Sequence, residues 1–209
     1  MMQADLLLDG PADAELTLVL AHGAGAPMDS PYMVGVARRL AERGYRIARF
    51  EFPYMAARRA DGRKRPPDRQ PVLLDAWRGV VARLGGAGRV AVGGKSMGGR
   101  MASLLAAEDG ARALVCLGYP FHPPGKPERT RVEHLTALAV PTLIVQGTRD
   151  PFGSVDEVAG YRLSPSTEVV WVADGDHDLK PRKASGRSHA DTLDEAAEAV
   201  DRFLRSLGP

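Results

Sequence analysis

Twelve residues constrain this chain more than any others: RVAVGGKSMGGR, from Arg89 to Arg100. Val90 to Val92 read as a strand, the glycines force a sharp turn, and the residues after Ser96 read as a helix. Ser96 stands at the turn inside Gly94-Lys95-Ser96-Met97-Gly98, a G-x-S-x-G pattern. So tight a turn holds the serine in a cramped backbone conformation. Side chains two before and two after would collide, and glycine at both places removes the offending Cβ. The serine oxygen then stands clear at a helix N-terminus, whose free N–H groups and positive partial charge suit a developing anion.

The same residues have a second reading, because Gly94-Lys95-Ser96 resembles the end of a phosphate-binding loop. That loop needs a glycine five residues before Gly94, where this chain has Arg89, and Gly88 is off by one. It would also have to occupy Val90 to Val92, which read as strand. The nucleotide-binding reading is therefore set aside.

The turn needs a sheet to sit in, and the rest of the chain supplies one. Leu16–Ala21 is apolar throughout, as expected of a strand buried on both faces. Further strands are expected at Tyr45–Phe52, Ala113–Gly118, Val140–Gln146 and Glu168–Val172, with a short edge strand at Asp5–Leu8. Helical patterns lie between them. One is opened by Ser30-Pro31 and closed by Gly44, and another carries Leu74, Trp77, Val81 and Leu84. Ser154 with Glu157 marks a short capped helix. A last helix is expected from Asp191 or Thr192, with Thr192 and Glu195 as its capping box. Crossovers this long make successive strands parallel. The expected fold is a three-layer α/β sandwich on a mostly parallel sheet of about six to seven strands, one domain over residues 1–209. Ligands of such sheets bind at the carboxyl ends of the strands.

Bulk properties fit that fold. Hydrophobic residues make up 44% and charged residues 26%, enough for a sizeable core. A net charge of +2 is too small to argue for nucleic acid. The single cysteine, Cys116, lies in an apolar run and reads as a buried small hydrophobe. MMQADLLLDG has no basic n-region or long apolar core, so neither a signal peptide nor a membrane span is expected, and a cytoplasmic location is. No H-E-x-x-H or similar spacing suggests a metal, and no cofactor is expected.

A serine hydroxyl needs a base within hydrogen-bond reach, and the base needs a group that fixes its tautomer. Both are offered on later strand-end loops: Asp150 in Gly147-Thr148-Arg149-Asp150-Pro151, and His177 in Gly175-Asp176-His177. The order Ser, Asp, His is the one this kind of turn uses. Asp176 and Asp178 are the alternative acids, but adjacency to His177 makes them awkward geometrically.

With these motifs in view the chain resembles an α/β-hydrolase. Within that superfamily it is similar to the small, capless, dienelactone-hydrolase-like group, to which a domain in a subunit of the eukaryotic NSL acetyltransferase complex is related. The matching pieces also include His22-Gly23-Ala24-Gly25, Phe52-Pro53-Tyr54, Arg65-Pro66-Pro67-Asp68-Arg69, Gly99-Arg100, and the Tyr119-Pro120 loop with His122-Pro123-Pro124-Gly125-Lys126-Pro127. The resemblance implies Ser96 as nucleophile, His177 as general base and acid, and Asp150 as the orienting carboxylate. It implies an oxyanion hole from the Met97 N–H and an N–H of the His22–Ala26 loop, with Ala24 preferred and Gly25 second. His22, His122 and Tyr54 are pocket candidates, His22 more as a structural residue bonding within its loop. His134 and His189 are expected on the surface. The implied activity is cleavage of an ester, thioester or similar small acyl bond in a shallow pocket. The alternative is a non-catalytic interaction domain that kept the fold.

Residues 53–71, PYMAARRADGRKRPPDRQP, hold six basic side chains against two acidic ones. They read as a loop with at most a short helical turn. The loop is either a solvated connection or a partial lid whose Arg63, Lys64 and Arg65 favour anionic substrates.

Overall fold

The computed structural model describes residues 5–208, so the outermost residues of the expected 1–209 domain lie outside it. Its strands are β1 (Leu6–Asp9), β2 (Thr17–Ala21), β3 (Arg46–Phe50), β4 (Val90–Lys95), β5 (Ala113–Leu117), β6 (Thr142–Gly147) and β7 (Thr167–Val172). They form one seven-stranded sheet in the order β1-β3-β2-β4-β5-β6-β7. Every pairing is parallel except that of the edge strand β1 with β3.

The helices are α1 (Pro31–Ala41), α2 (Pro53–Asp61), α3 (Gln70–Arg83), α4 (Met97–Asp109), α5 (Val155–Ala159) and α6 (His189–Ser206). Two hydrophobic layers separate them from the sheet. In one, Leu73, Leu74 and Trp77 of α3 and Met101 and Leu105 of α4 pack on Val19, Val92, Leu114 and Cys116. In the other, Met33, Val36 and Leu40 of α1 and Leu193, Val200 and Leu204 of α6 pack on Leu18, Leu20, Ala91, Val115 and Leu117. Alternate residues of each central strand thus feed opposite layers, which is why those strands are apolar throughout. Arg39 of α1 ties the second layer by bonding Asp194 of α6 at 2.6 Å. No helix among the described residues is long and apolar enough to cross a membrane.

Two expectations are corrected. Residues 53–61 are a nine-residue helix, not loop. Pro53 occupies its first turn, where a missing N–H costs nothing, and Tyr54 and Met55 face inward. Only residues 62–69 remain coil. The last helix starts earlier than expected. Its capping box is Ser188 with Asp191, while Thr192 is buried inside the first turn. The Ser154–Glu157 box is present as expected.

Trp77 is fully buried, edge-on to Phe50 with ring centroids 4.8 Å apart. Trp77→Ala is expected to cost about 3–5 kcal/mol in a denaturation titration; a loss below about 1 kcal/mol would mean that α3 is not packed as described.

Candidate active site

The turn between β4 and α4 presses against the end of β2. A Cβ on Gly94 would lie 2.3 Å from the Ala21 carbonyl oxygen, and one on Gly98 would lie 2.4 Å from the same atom and 2.6 Å from the His22 oxygen. Both glycines of the pattern are therefore demanded by close approach. Between them Ser96 has φ 51° and ψ −116°, a conformation that costs a non-glycine residue about 1–3 kcal/mol. Lys95 ends β4 as strand, leaving no room for a phosphate-binding loop.

The later strands bring the partners. His177 lies after β7, with Nε2 2.9 Å from Ser96 Oγ and Nδ1 2.8 Å from Asp150 Oδ2. Asp150 lies after β6 and is 1% exposed. Its Oδ2 also accepts from Gln146 Nε2 at 2.9 Å, and its Oδ1 from the Phe152 N–H at 2.9 Å. Those donors keep the buried carboxylate satisfied and fixed. An acid so placed holds the imidazole with Nδ1 protonated and Nε2 free to accept the serine proton. Phe152 flanks His177, with ring centroids 4.2 Å apart. The alternative acids do other work. Asp176 accepts from the N–H groups of Asp178 and Lys180, and Asp178 lies 3.2 Å from Lys95 Nζ.

Gln146 and Phe152 are not singled out by the sequence, and Lys95 enters there only as part of the motif around Ser96. Lys95 Nζ donates to the His177 carbonyl at 2.6 Å, so the residue before Ser96 pins the loop that carries His177. Its pKa is lowered by burial, against the pull of Asp178. The signal was present: Lys95 and Gln146 are polar residues at the ends of otherwise apolar strands.

The loop after β2 faces Ser96 across the turn. The Phe52 N–H donates to His22 Nε2 at 3.1 Å, so neutral His22 carries its proton on Nδ1, which bonds the Gly23 oxygen at 2.7 Å. Burial lowers the pKa of His22 accordingly. Tyr54 supports the same loop, donating to the Ala24 carbonyl at 3.0 Å. Met97 opens α4, so its N–H has no acceptor one turn back. Ala24, Ser96 and Met97 share a cleft of about 360 Å³ with Pro67, Asp68, Gln70, Leu73, Arg100, Met101, Pro120, Arg131 and Phe152.

None of the pocket candidates His22, His122 and Tyr54 is in that lining. His122 is buried, with Nδ1 2.8 Å from the Pro123 oxygen. Nor do Arg63, Lys64 and Arg65 line the cleft. Arg65 is committed to Asp61 at 2.5 Å, while Pro67, Asp68 and Gln70 form a wall. The segment therefore contributes to the cleft through its tail rather than its basic run.

His134 is partly buried, contrary to expectation, while His189 is half-exposed at the start of α6. His189 Nε2 bonds the Asp178 carbonyl at 2.8 Å. His134 Nε2 lies 2.8 Å from Ser103 Oγ, whose own proton goes to the Arg100 carbonyl. Ser103 is fully buried and is part of a structural joint. Among the described residues, no three His, Cys, Asp or Glu side chains group as metal ligands would.

Two outcomes are expected. Gly98→Ala should destabilise the protein by about 1–3 kcal/mol in urea, through overpacking at Ala21; a neutral change would contradict the close approach. Burial and the Arg100 charge push the His134 pKa down from 6.5 to about 4. Its favourable contribution is complete above pH 6.5. It is lost as pH falls toward 4, because only the unfolded chain takes the proton in that window. The urea midpoint should therefore fall from pH 7 to pH 5, and less steeply in His134→Gln; equal slopes would remove His134 as the cause.

Comparison with known proteins agrees with this fold. The profile of the Alpha/beta hydrolase domain family matches residues 14–205. The fold is similar to that of an alpha-beta serine hydrolase homologue from Coxiella burnetii, at 20% identity and TM-score 0.71, over 96% of this chain and 91% of that one. A dienelactone hydrolase from Anabaena variabilis aligns at 21% identity and TM-score 0.73, over 98% and 99%. A serine hydrolase without lid from Xanthomonas campestris aligns at 21% and 0.71, over 96% and 89%. With its seven-stranded sheet and, among the described residues, no cap over the carboxyl edge, the chain belongs to the alpha/beta hydrolase domain family, in its capless form.

Proposed function

We propose that the chain is a serine hydrolase that cleaves small carboxylic esters or thioesters through an acyl-enzyme. The observation that carries this reading is the unbroken relay from Ser96 Oγ through His177 to Asp150, at 2.9 and 2.8 Å. Names of structural neighbours add support: one is a dienelactone hydrolase and another, Est1E from Butyrivibrio proteoclasticus, binds ferulic acid.

In this mechanism His177 Nε2 takes the Ser96 proton as Oγ attacks the carbonyl carbon. The carbonyl oxygen becomes an alkoxide facing the N–H groups of Met97 and Ala24, each worth about 3 kcal/mol to the transition state. The imidazolium is stabilised by the Asp150 carboxylate. As the intermediate collapses, His177 returns the proton to the departing alcohol or thiol. Water then enters, gives its proton to His177 and attacks the acyl carbon. The second collapse releases the acid and restores the Ser96 hydroxyl. The strained Ser96 backbone keeps Oγ at the mouth of the cleft throughout, so little reorganisation is needed before attack.

A fluorophosphonate probe should label the protein at Ser96, and Ser96→Ala should abolish both labelling and turnover of para-nitrophenyl acetate. Asp150→Asn should lower kcat by about 10³–10⁴-fold, since the imidazole would present the wrong tautomer. An unlabelled, folded protein would instead indicate a non-catalytic domain that kept the fold. Full activity in Asp150→Asn would remove the relay from the mechanism.

A further inference from the structure

We propose that Arg100 and Arg131 form a subsite for an anionic group on the substrate, so that the preferred ester carries a carboxylate near its scissile bond. This rests on the serine hydrolase reading of the same cleft. The two arginines line that cleft together with Ser96. Arg100 lies one helical turn beyond the serine, its N–H bonded to the Ser96 oxygen at 2.9 Å.

Neither arginine is matched by a carboxylate among the described residues. Buried arginines elsewhere in the chain are matched: Arg39 with Asp194, and Arg49 with Asp9 at 2.8 Å. The half-exposed Arg59 bridges Glu51 and Asp29. Among the described residues, Arg100 and Arg131 have no ion pair. Arg100 Nε is buried with no hydrogen-bond partner. The two cations also act on each other: the Arg131 pKa is lowered first by burial and then by the Arg100 charge. Asp68 is the single carboxylate in the lining, and its Oδ2 already accepts from the Tyr54 N–H at 2.9 Å. The cleft therefore holds two positive charges against one negative beside the reacting serine.

The surroundings hold both arginines in place by their backbones. The Arg100 carbonyl accepts from Ser103 Oγ at 2.8 Å, and the Arg131 carbonyl from Tyr119 Oη at 2.9 Å. His134 joins the two hydroxyls, 2.8 Å from Ser103 Oγ and 3.5 Å from Tyr119 Oη. An arrangement that keeps two like charges together without a counter-ion is incomplete. A carboxylate supplies the missing charge, and guanidinium forks match it in a bidentate manner. The anion selectivity that the sequence suggests for Arg63, Lys64 and Arg65 is thereby assigned to different residues.

The test compares two ester pairs. On the acyl side, para-nitrophenyl hydrogen glutarate is set against the isosteric ester with isopropyl in place of the carboxylate. On the alcohol side, para-acetoxybenzoate is set against para-acetoxytoluene. The wild-type kcat/KM should favour the anionic member of at least one pair by about tenfold or more. Arg100→Gln and Arg131→Gln should each bring that ratio down severalfold, and Arg131→Lys less so. Because each ratio is taken within one preparation, partial loss of fold cancels. Should either Gln variant fail to fold, the wild-type ratio and its decrease with added salt give the answer alone. Equal or better turnover of the neutral member in both pairs would overturn the subsite while leaving the hydrolase intact. A protein that turns over no ester and takes no fluorophosphonate at Ser96 would instead overturn the hydrolase reading.

Discussion

Between the end of β2 and the turn after β4 there is no room for a methyl group, and the rest of the site follows from that contact. The Ala21 carbonyl lies where a Cβ of Gly94 or of Gly98 would have to be. Packed so closely, the chain can only reverse by putting Ser96 at positive φ, which lifts its hydroxyl off the sheet. The same approach sets the loop after β2 beside the start of α4. That loop and the first turn of α4 are therefore neighbours because two main chains touch, without any side chain being spent on it.

The parallel sheet then sets the spacing of everything else. Ser96 follows β4, Asp150 follows β6 and His177 follows β7, so all three emerge at one edge. β5 lies between β4 and β6 in the sheet, and the His177 loop has to reach back across it toward Ser96. Lys95 helps close that span by holding the His177 carbonyl. A buried ammonium is costly to desolvate. Here the cost is offset by that carbonyl, by Asp178 and by the face of Tyr32, 5.5 Å away. β4 and the loop that carries His177 are thus one mechanical unit.

The fold and the relay were legible because their signals are local and ordered. Apolar runs gave the strands, glycine spacing gave the turn, and chain order matched Ser96 to Asp150 and His177. What escaped the reading depends on distance or on competition. Residues 188–195 offer two overlapping capping patterns, Ser188 with Asp191 and Thr192 with Glu195, and only packing decides between them. Arginine-rich composition hid α2, although Pro53, Tyr54 and Met55 already had helical placement. Arg131 lies in a proline-rich loop some thirty residues from Arg100 in sequence, and nothing local indicates that the two share a cleft. His134 looked like a surface residue because its partners, Ser103 and Tyr119, come from other elements.

One wall of the cleft is of a different kind from the others. Pro67 and Asp68 belong to a coil that begins at Gly62, and proline there excludes helix. Asp68 fastens this coil to the first turn of α2 through the Tyr54 N–H. Sheet and helix supply the fixed parts of the site, whereas this rim can lengthen or shorten with no strand changing register. The width of the cleft is therefore open to change by insertion and deletion within a few residues, while the arrangement of Ser96, His177 and Asp150 stays untouched.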